Sequence, residues 1–83
     1  MPGRWRVYLL ECADGTYYCG ATNDLPARLA AHHAGTGAKY LRGRLPVRLA
    51  YARAYRNASL ALRAERALKR LTRDQKRALV ARS

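Results

Sequence analysis

Few side chains in this sequence can do chemistry, and their scarcity narrows what chemistry is open to it. There are five acids. Asp14 falls in a turn, Asp24 at a helix cap and Asp74 in a first helical turn, each an ordinary structural position for a short carboxylate. Glu11, near the end of a hairpin, is open to a structural or a chemical role. Glu65 lies mid-helix in L-R-A-E-R-A-L-K-R, where its plainest use is an i,i+4 pair with Lys69 worth about 0.3–0.5 kcal/mol. One carboxylate suffices for Mg²⁺ only when water and a substrate phosphate fill the other positions. So few acids argue against a two-metal site. No serine or cysteine nucleophile constellation is visible, since Ser59 stands at a helix start and Ser83 is the last residue. His32 and His33, adjacent on a helix, point about 100° apart and make no metal pair by themselves. Tyr8 and Tyr18 share the stretch V-Y-L-L-E-C-A-D-G-T-Y-Y-C-G, and two tyrosines in a hairpin are by themselves packing residues.

The elements that must position these groups follow from pattern. Trp5–Cys12 and Thr16–Ala21 read as strands around an Asp-Gly turn. A two-residue loop, Asp14-Gly15, would put Tyr8 and Tyr18 on opposite faces. A three-residue loop, Ala13 to Gly15 with Gly15 left-handed, pairs Cys12 with Thr16 and brings both tyrosines to one face. Any site using both tyrosines needs that loop, or a bulge of equal effect. It also sends Cys12 and Cys19 to opposite faces, which excludes a bridge between them.

Asn23-Asp24-Leu25-Pro26 starts a helix that runs to about Ala34 and stops at Gly35, with Leu25 and Leu29 inward. Arg28 and His32 sit one turn apart on a neighbouring face. G-T-G-A-K-Y-L-R-G-R-L-P is a loop with one helical turn near Ala38 to Leu41. Its cations and its tyrosine fit a phosphate backbone and a base as well as they fit a solvated surface. Val47–Tyr55 alternates as a third strand, with Val47, Leu49, Tyr51 and Tyr55 on one face. Asn57 or Ser59 caps a helix whose inner face carries Leu60, Ala64, Ala67, Leu68 and Leu71, and Thr72-Arg73-Asp74-Gln75 opens a last one. The expected fold is α+β: one domain over residues 1–83, a small three-stranded antiparallel sheet flanked by helices in the order ββαβαα.

Composition bounds the partners. The net charge is +12, from 17 Lys and Arg against 5 acids. Arginine dominates, and it pairs bidentately with phosphate and stacks on bases. Such charge opposes compact folding, so a polyanionic partner is the inference. No apolar run reaches the length of a membrane span and no signal peptide opens the chain, which makes cytoplasm the expected location. Two cysteines fit no zinc spacing, and neither a disulfide nor a structural metal is expected.

Taken together, V-Y-L, Y-C-G ten residues on, A-T-N-D-L-x-x-R-L-x-x-H and the mid-helix Glu65 resemble the GIY-YIG nuclease superfamily. The small stand-alone bacterial members of uncharacterised role share the look of G-x-G-A-K-Y-x-R-G-R-x-P and A-L-R-x-E-x-x-L-K-x-L-T, so the resemblance covers nearly the whole chain. It implies hydrolysis of a phosphodiester by in-line attack of water, with a single Mg²⁺ or Mn²⁺ held by Glu65. Tyr8 would act as general base or water-positioning group, with Tyr18 beside it. Arg28 would bind the scissile phosphate and His32 would orient Tyr8 or relay its proton. A phenol is a poor base at neutral pH, but nearby cations favour phenolate. Lys39, Tyr40, Arg42, Arg44 and Lys69 are the nucleic-acid-binding candidates, with DNA expected ahead of RNA. The chain departs from the motif at Arg6, Val7 and Cys19, and no Asn follows Glu65, which leaves a phosphate or base contact unfilled.

Overall fold

A computed structural model describes residues 4–82. The elements are β1 (Trp5–Cys12), β2 (Tyr17–Thr22), α1 (Leu25–His33), a 3-10 turn at Lys39–Leu41, β3 (Val47–Tyr55), α2 (Ala58–Lys69) and α3 (Arg73–Arg82). The order ββαβαα is the one expected, and the strands form an antiparallel sheet with β1 between β2 and β3.

The hairpin takes the three-residue loop. The Cys12 N–H donates to the Thr16 carbonyl at 2.8 Å, and Gly15 adopts φ +82°, a left-handed value that glycine tolerates without a Cβ clash. Asp14 steadies the turn by accepting from the Thr16 hydroxyl at 2.6 Å and from its N–H at 3.1 Å. The resulting register sets Tyr8 against Gly20 and Leu10 against Tyr18, so the two tyrosines share a face. Cys12 and Cys19 are free, buried and on opposite faces.

Each sheet face carries its own core. Val7, Leu9 and Cys19 meet Ala61 and Leu68 of α2, with Leu71, Leu79 and Val80 packed beside them. Tyr8, Leu10, Cys12, Leu41 and Val47 form the other core, closed by Leu25 and Leu29 of α1. Burying each of Leu9 and Leu10 contributes about 1.5–3 kcal/mol.

The helix ends follow their local signals. Asp24 accepts from the Ala27 N–H, and Asn57, rather than Ser59, accepts from the Leu60 N–H at 3.0 Å. Thr72 and Gln75 cap each other reciprocally at 2.8 and 3.1 Å. α1 closes with Thr36 N–H on the Ala31 carbonyl and Gly35 N–H on that of His32, the paired bonds of a Schellman end.

Three sequence expectations fail on packing detail. β3 does not keep one face: Leu9 pairs with Tyr51 and Leu10 with Leu49, so Ala50 is an extra residue in a bulge. Val47 therefore joins the Tyr8 core while Tyr51 and Tyr55 join the opposite one, and Leu49 is left 40% exposed. On α2, Leu60 and Ala67 face solvent and Ala61 takes the buried position in line with Ala64 and Leu68, so the helix is turned relative to the expected inner face. On α1, His32 continues the Leu25–Leu29 stripe and is buried, whereas Arg28 is exposed.

Candidate functional site

Tyr8 stands at the centre of the site, 1% exposed on the middle strand. Its ring lies across Gly20 of β2, the edge strand. A Cβ on Gly20 would fall on Tyr8 Oη and stand 2.6 Å from Cζ, so the missing side chain is what lets the phenol reach toward the sheet rim. Its hydroxyl meets His32 Nε2 at 3.0 Å. The other ring nitrogen, Nδ1, faces the Ala38 N–H at 3.5 Å. In the tautomer that lets Nδ1 accept from Ala38, the proton is on Nε2 and Tyr8 Oη accepts the His32 bond; the other tautomer reverses the roles.

Gly37 makes this seat possible. A Cβ there would overlap His32 Nδ1 and come within 2.9 Å of Cε1. Tyr18 completes an aromatic cluster, with ring centroids 6.4 Å from Tyr8, 5.5 Å from His32 and 5.8 Å from Tyr40.

Charge reaches Tyr8 from both layers of the fold. Arg28, from α1, is a hydrogen-bonding and charged neighbour that pulls the phenol's pKa down, while Glu65, from α2, pushes it up. This turn of α2 lies against β2, where the Cys19 thiol stands 3.8 Å from the Glu65 backbone carbonyl oxygen. Burial is the strongest influence and outweighs Arg28, so the phenol sits above its ordinary value of 10.0. Arginine alone does not make the phenolate expected from a cation beside a tyrosine.

Burial, with Arg28 and His33 nearby, also holds His32 below its ordinary value of 6.5. In the unfolded chain His32 takes up a proton near 6.5, and in the folded chain only at lower pH. The unfolded state then binds more protons in between, so stability falls as pH drops below about 6.5 toward the folded value. Thermal melting followed between about pH 7 and 5 is expected to show this decline, and His32→Gln to flatten it. Equal slopes in both proteins would remove His32 from the account.

The remaining candidates divide. Lys39 and Arg42 are exposed on the loop, and Tyr40 is 41% exposed at its rim. Arg44 is engaged within the chain: it stacks 4.3 Å from the Tyr40 ring centroid, donates to the Tyr40 carbonyl at 2.9 Å and approaches Asp14 at 3.1 Å. Lys69 pairs with Glu65 at 3.5 Å, as helical spacing suggests. Gly20 and Gly37 carry site geometry that the sequence reading did not assign. A glycine inside a strand pattern was the available signal for the first, and nothing local marked the second.

Among the described residues no group of three or more His, Cys, Asp or Glu could cage a metal ion. Glu65 offers one carboxylate, its side chain 16% exposed. That donor fits Mg²⁺ or Mn²⁺ keeping most of its water and taking further oxygens from a substrate, and it does not fit a structural zinc site. Nor is any helix of the described residues long and apolar enough to cross a membrane.

Known proteins resemble this chain along most of its length. Residues 4–78 match the family model of the GIY-YIG catalytic domain. A UPF0213 protein of Halobacterium salinarum is 52% identical over 73 residues, covering 88% of this chain and 95% of its own. One of Streptococcus pneumoniae is 53% identical over 70 residues, covering 84% and 71%. The solution structure of a UPF0213 protein from Bacillus halodurans superposes with a TM-score of 0.60 at 44% identity, over 94% of this chain and 83% of that one. A solution structure from E. faecalis gives 0.65 at 38% identity, over 98% and 88%. The chain therefore belongs to the GIY-YIG family and, within it, to the UPF0213 proteins.

Proposed function

We propose that the protein is a metal-dependent nuclease that hydrolyses phosphodiester bonds in nucleic acid, DNA before RNA. The observation that carries this reading is the buried Tyr8–His32 pair over the gap left by Gly20, with Arg28 and Glu65 near enough to act on the phenol's charge. Family membership supports a nuclease-type activity; the substrate, the metal and the residue roles are our reading.

In this reading Tyr8 Oη accepts from His32 Nε2–H and from Arg28, so its own proton points away from both and toward the rim. Two donors on one oxygen stabilise the phenolate once further positive charge arrives. A divalent cation on Glu65 would supply that charge and stabilise the phosphoryl and leaving oxygens. Arg28 is exposed enough to hold the scissile phosphate from a position where its charge acts on Tyr8. His32 fixes the phenol and, being neutral, adds no competing charge.

The test is cleavage of a panel of duplex, branched and single-stranded DNA and of RNA, with Mg²⁺ or Mn²⁺. The wild type is run beside Tyr8→Phe and Glu65→Ala. Cutting by wild type alone supports the reading; equal cutting by all three means a contaminating nuclease and defeats it.

A second reading, a nucleic-acid-binding domain without catalysis, is favoured by two observations: Lys69 already neutralises Glu65, and burial holds Tyr8 protonated. It expects steeply salt-dependent binding indifferent to Glu65→Ala. Loss of Mg²⁺ binding in that variant would count against it.

A further inference from the structure

From the Gly20 gap the rim of β2 continues about 13 Å toward the hairpin turn. It ends in a cavity of about 160 Å³ lined by Thr16, Tyr17, Tyr40, Arg73 and Lys76. We propose that this cavity is a second phosphate subsite, in which Arg73 and Lys76 hold a backbone phosphate of the same strand whose scissile phosphate lies at Arg28. The proposal rests on the nucleic-acid reading above and adds to it the direction in which the strand runs.

The cations of the cavity have no ion-pair partner within the described residues. Each of the chain's acids has another partner, and Asp14, at the cavity's edge through its bond to Thr16, is paired with Arg44. Glu11 pairs with Arg48, Asp14 with Arg44 and Thr16, Glu65 with Lys69 and Asp74 with Arg77, while Asp24 caps α1. Among the described residues neither Arg73 nor Lys76 meets a carboxylate at ion-pairing distance. Two cations on one cavity wall without an acid are costly through mutual repulsion unless an anion joins them.

Both cations are also placed rather than loose. The Arg73 guanidinium lies across the hairpin turn, where a Cβ on Gly15 would stand 2.6 Å from Nη2. Lys76 is half-buried, whereas Arg73 is exposed apart from this contact. A row of rings, His32, Tyr18 and Tyr40, joins the two places with centroid steps of 5.5 and 5.8 Å. A strand following that row carries a phosphate at each end of it.

The test needs no cleavage. Fluorescence anisotropy of a labelled DNA oligonucleotide is titrated in EDTA at several salt concentrations with wild type, Arg73→Gln/Lys76→Gln and Arg48→Gln/Arg53→Gln. The last pair removes the same charge from β3, the opposite edge of the sheet. The subsite variant is expected to lose at least about tenfold in affinity and to lower the salt slope by about 0.7–0.9, the share of one phosphate. The β3 pair is expected to bind within about threefold of wild type. Restoring the charges as Arg73→Lys/Lys76→Arg should recover most of the loss. Equal losses in both charge-removing pairs, or none in the subsite variant while wild type binds, overturn the subsite alone. Inorganic phosphate that displaces the oligonucleotide from wild type as effectively as an unlabelled oligonucleotide does overturns it too, by making the occupant a free anion. No salt-dependent binding by wild type overturns the nucleic-acid reading as well.

Discussion

Replacing Gly20 with alanine is expected to disable the site and lower the melting temperature together. The new Cβ would land on the Tyr8 hydroxyl and within 2.6 Å of Cζ. Tyr8 cannot swing aside, because it is 1% exposed and enclosed by Leu10, Leu41 and the α1 side chains. Overpacking of this kind costs about 1–3 kcal/mol, which for a domain of this size is roughly 5–20 °C in melting temperature. The hydroxyl leaves His32 as it shifts, and any cleavage is expected to fall by at least about tenfold. Adding Tyr8→Phe should not rescue stability, since Cζ itself remains in the way. Gly20→Ala with unchanged melting and an unchanged His32 imidazole NMR signal would mean that the phenol does not lie over Gly20.

Tyr8→Phe separates chemistry from packing. It removes one oxygen from a ring that otherwise keeps its place, so the fold should persist. The cost falls on His32: Nε2–H loses its acceptor inside the protein, a buried unsatisfied donor worth about 1–3 kcal/mol. If Tyr8 is the base, cleavage should drop by about 10²–10⁴. Binding of DNA in EDTA should stay within about threefold, because the phosphate contacts come from arginine and lysine. A variant that cuts at the wild-type rate while melting a few degrees lower would reduce Tyr8 to a core residue.

Much of this fold is legible in the sequence because its signals are local. A hairpin turn follows from Ala13-Asp14-Gly15, with the choice between a two-residue and a three-residue loop left to the structure, and the ends of α1 and the start of α3 follow from Asn23-Asp24-Leu25-Pro26 with Gly35 and from Thr72 with Gln75. The failures share one cause: they depend on distance between elements. Ala50 looks like any alternating residue until its pairing with β1 is known. Leu60 and Ala61 exchange roles through the way α2 is turned on the sheet, which the spacing of its own residues leaves open. His32 seems to share a face with Arg28 until Leu25, Leu29 and His32 are seen as one buried stripe.

For the site, the candidate side chains could be named from spacing, but their electrostatics could not. That Arg28 fails to outweigh burial at Tyr8 depends on how deeply the ring is enclosed. Nor could the sequence reveal that Arg44, a plausible phosphate ligand, is held by Tyr40 and Asp14, or that Arg73 and Lys76 line one cavity with Tyr40.

The bulge at Ala50 makes β3 a splice between two otherwise independent layers. Val47 answers to the Tyr8 layer and Tyr51 to the α2 layer, with one surplus residue as the phase change between them. Deleting that residue would restore unbroken alternation and force one half of the strand onto the wrong side.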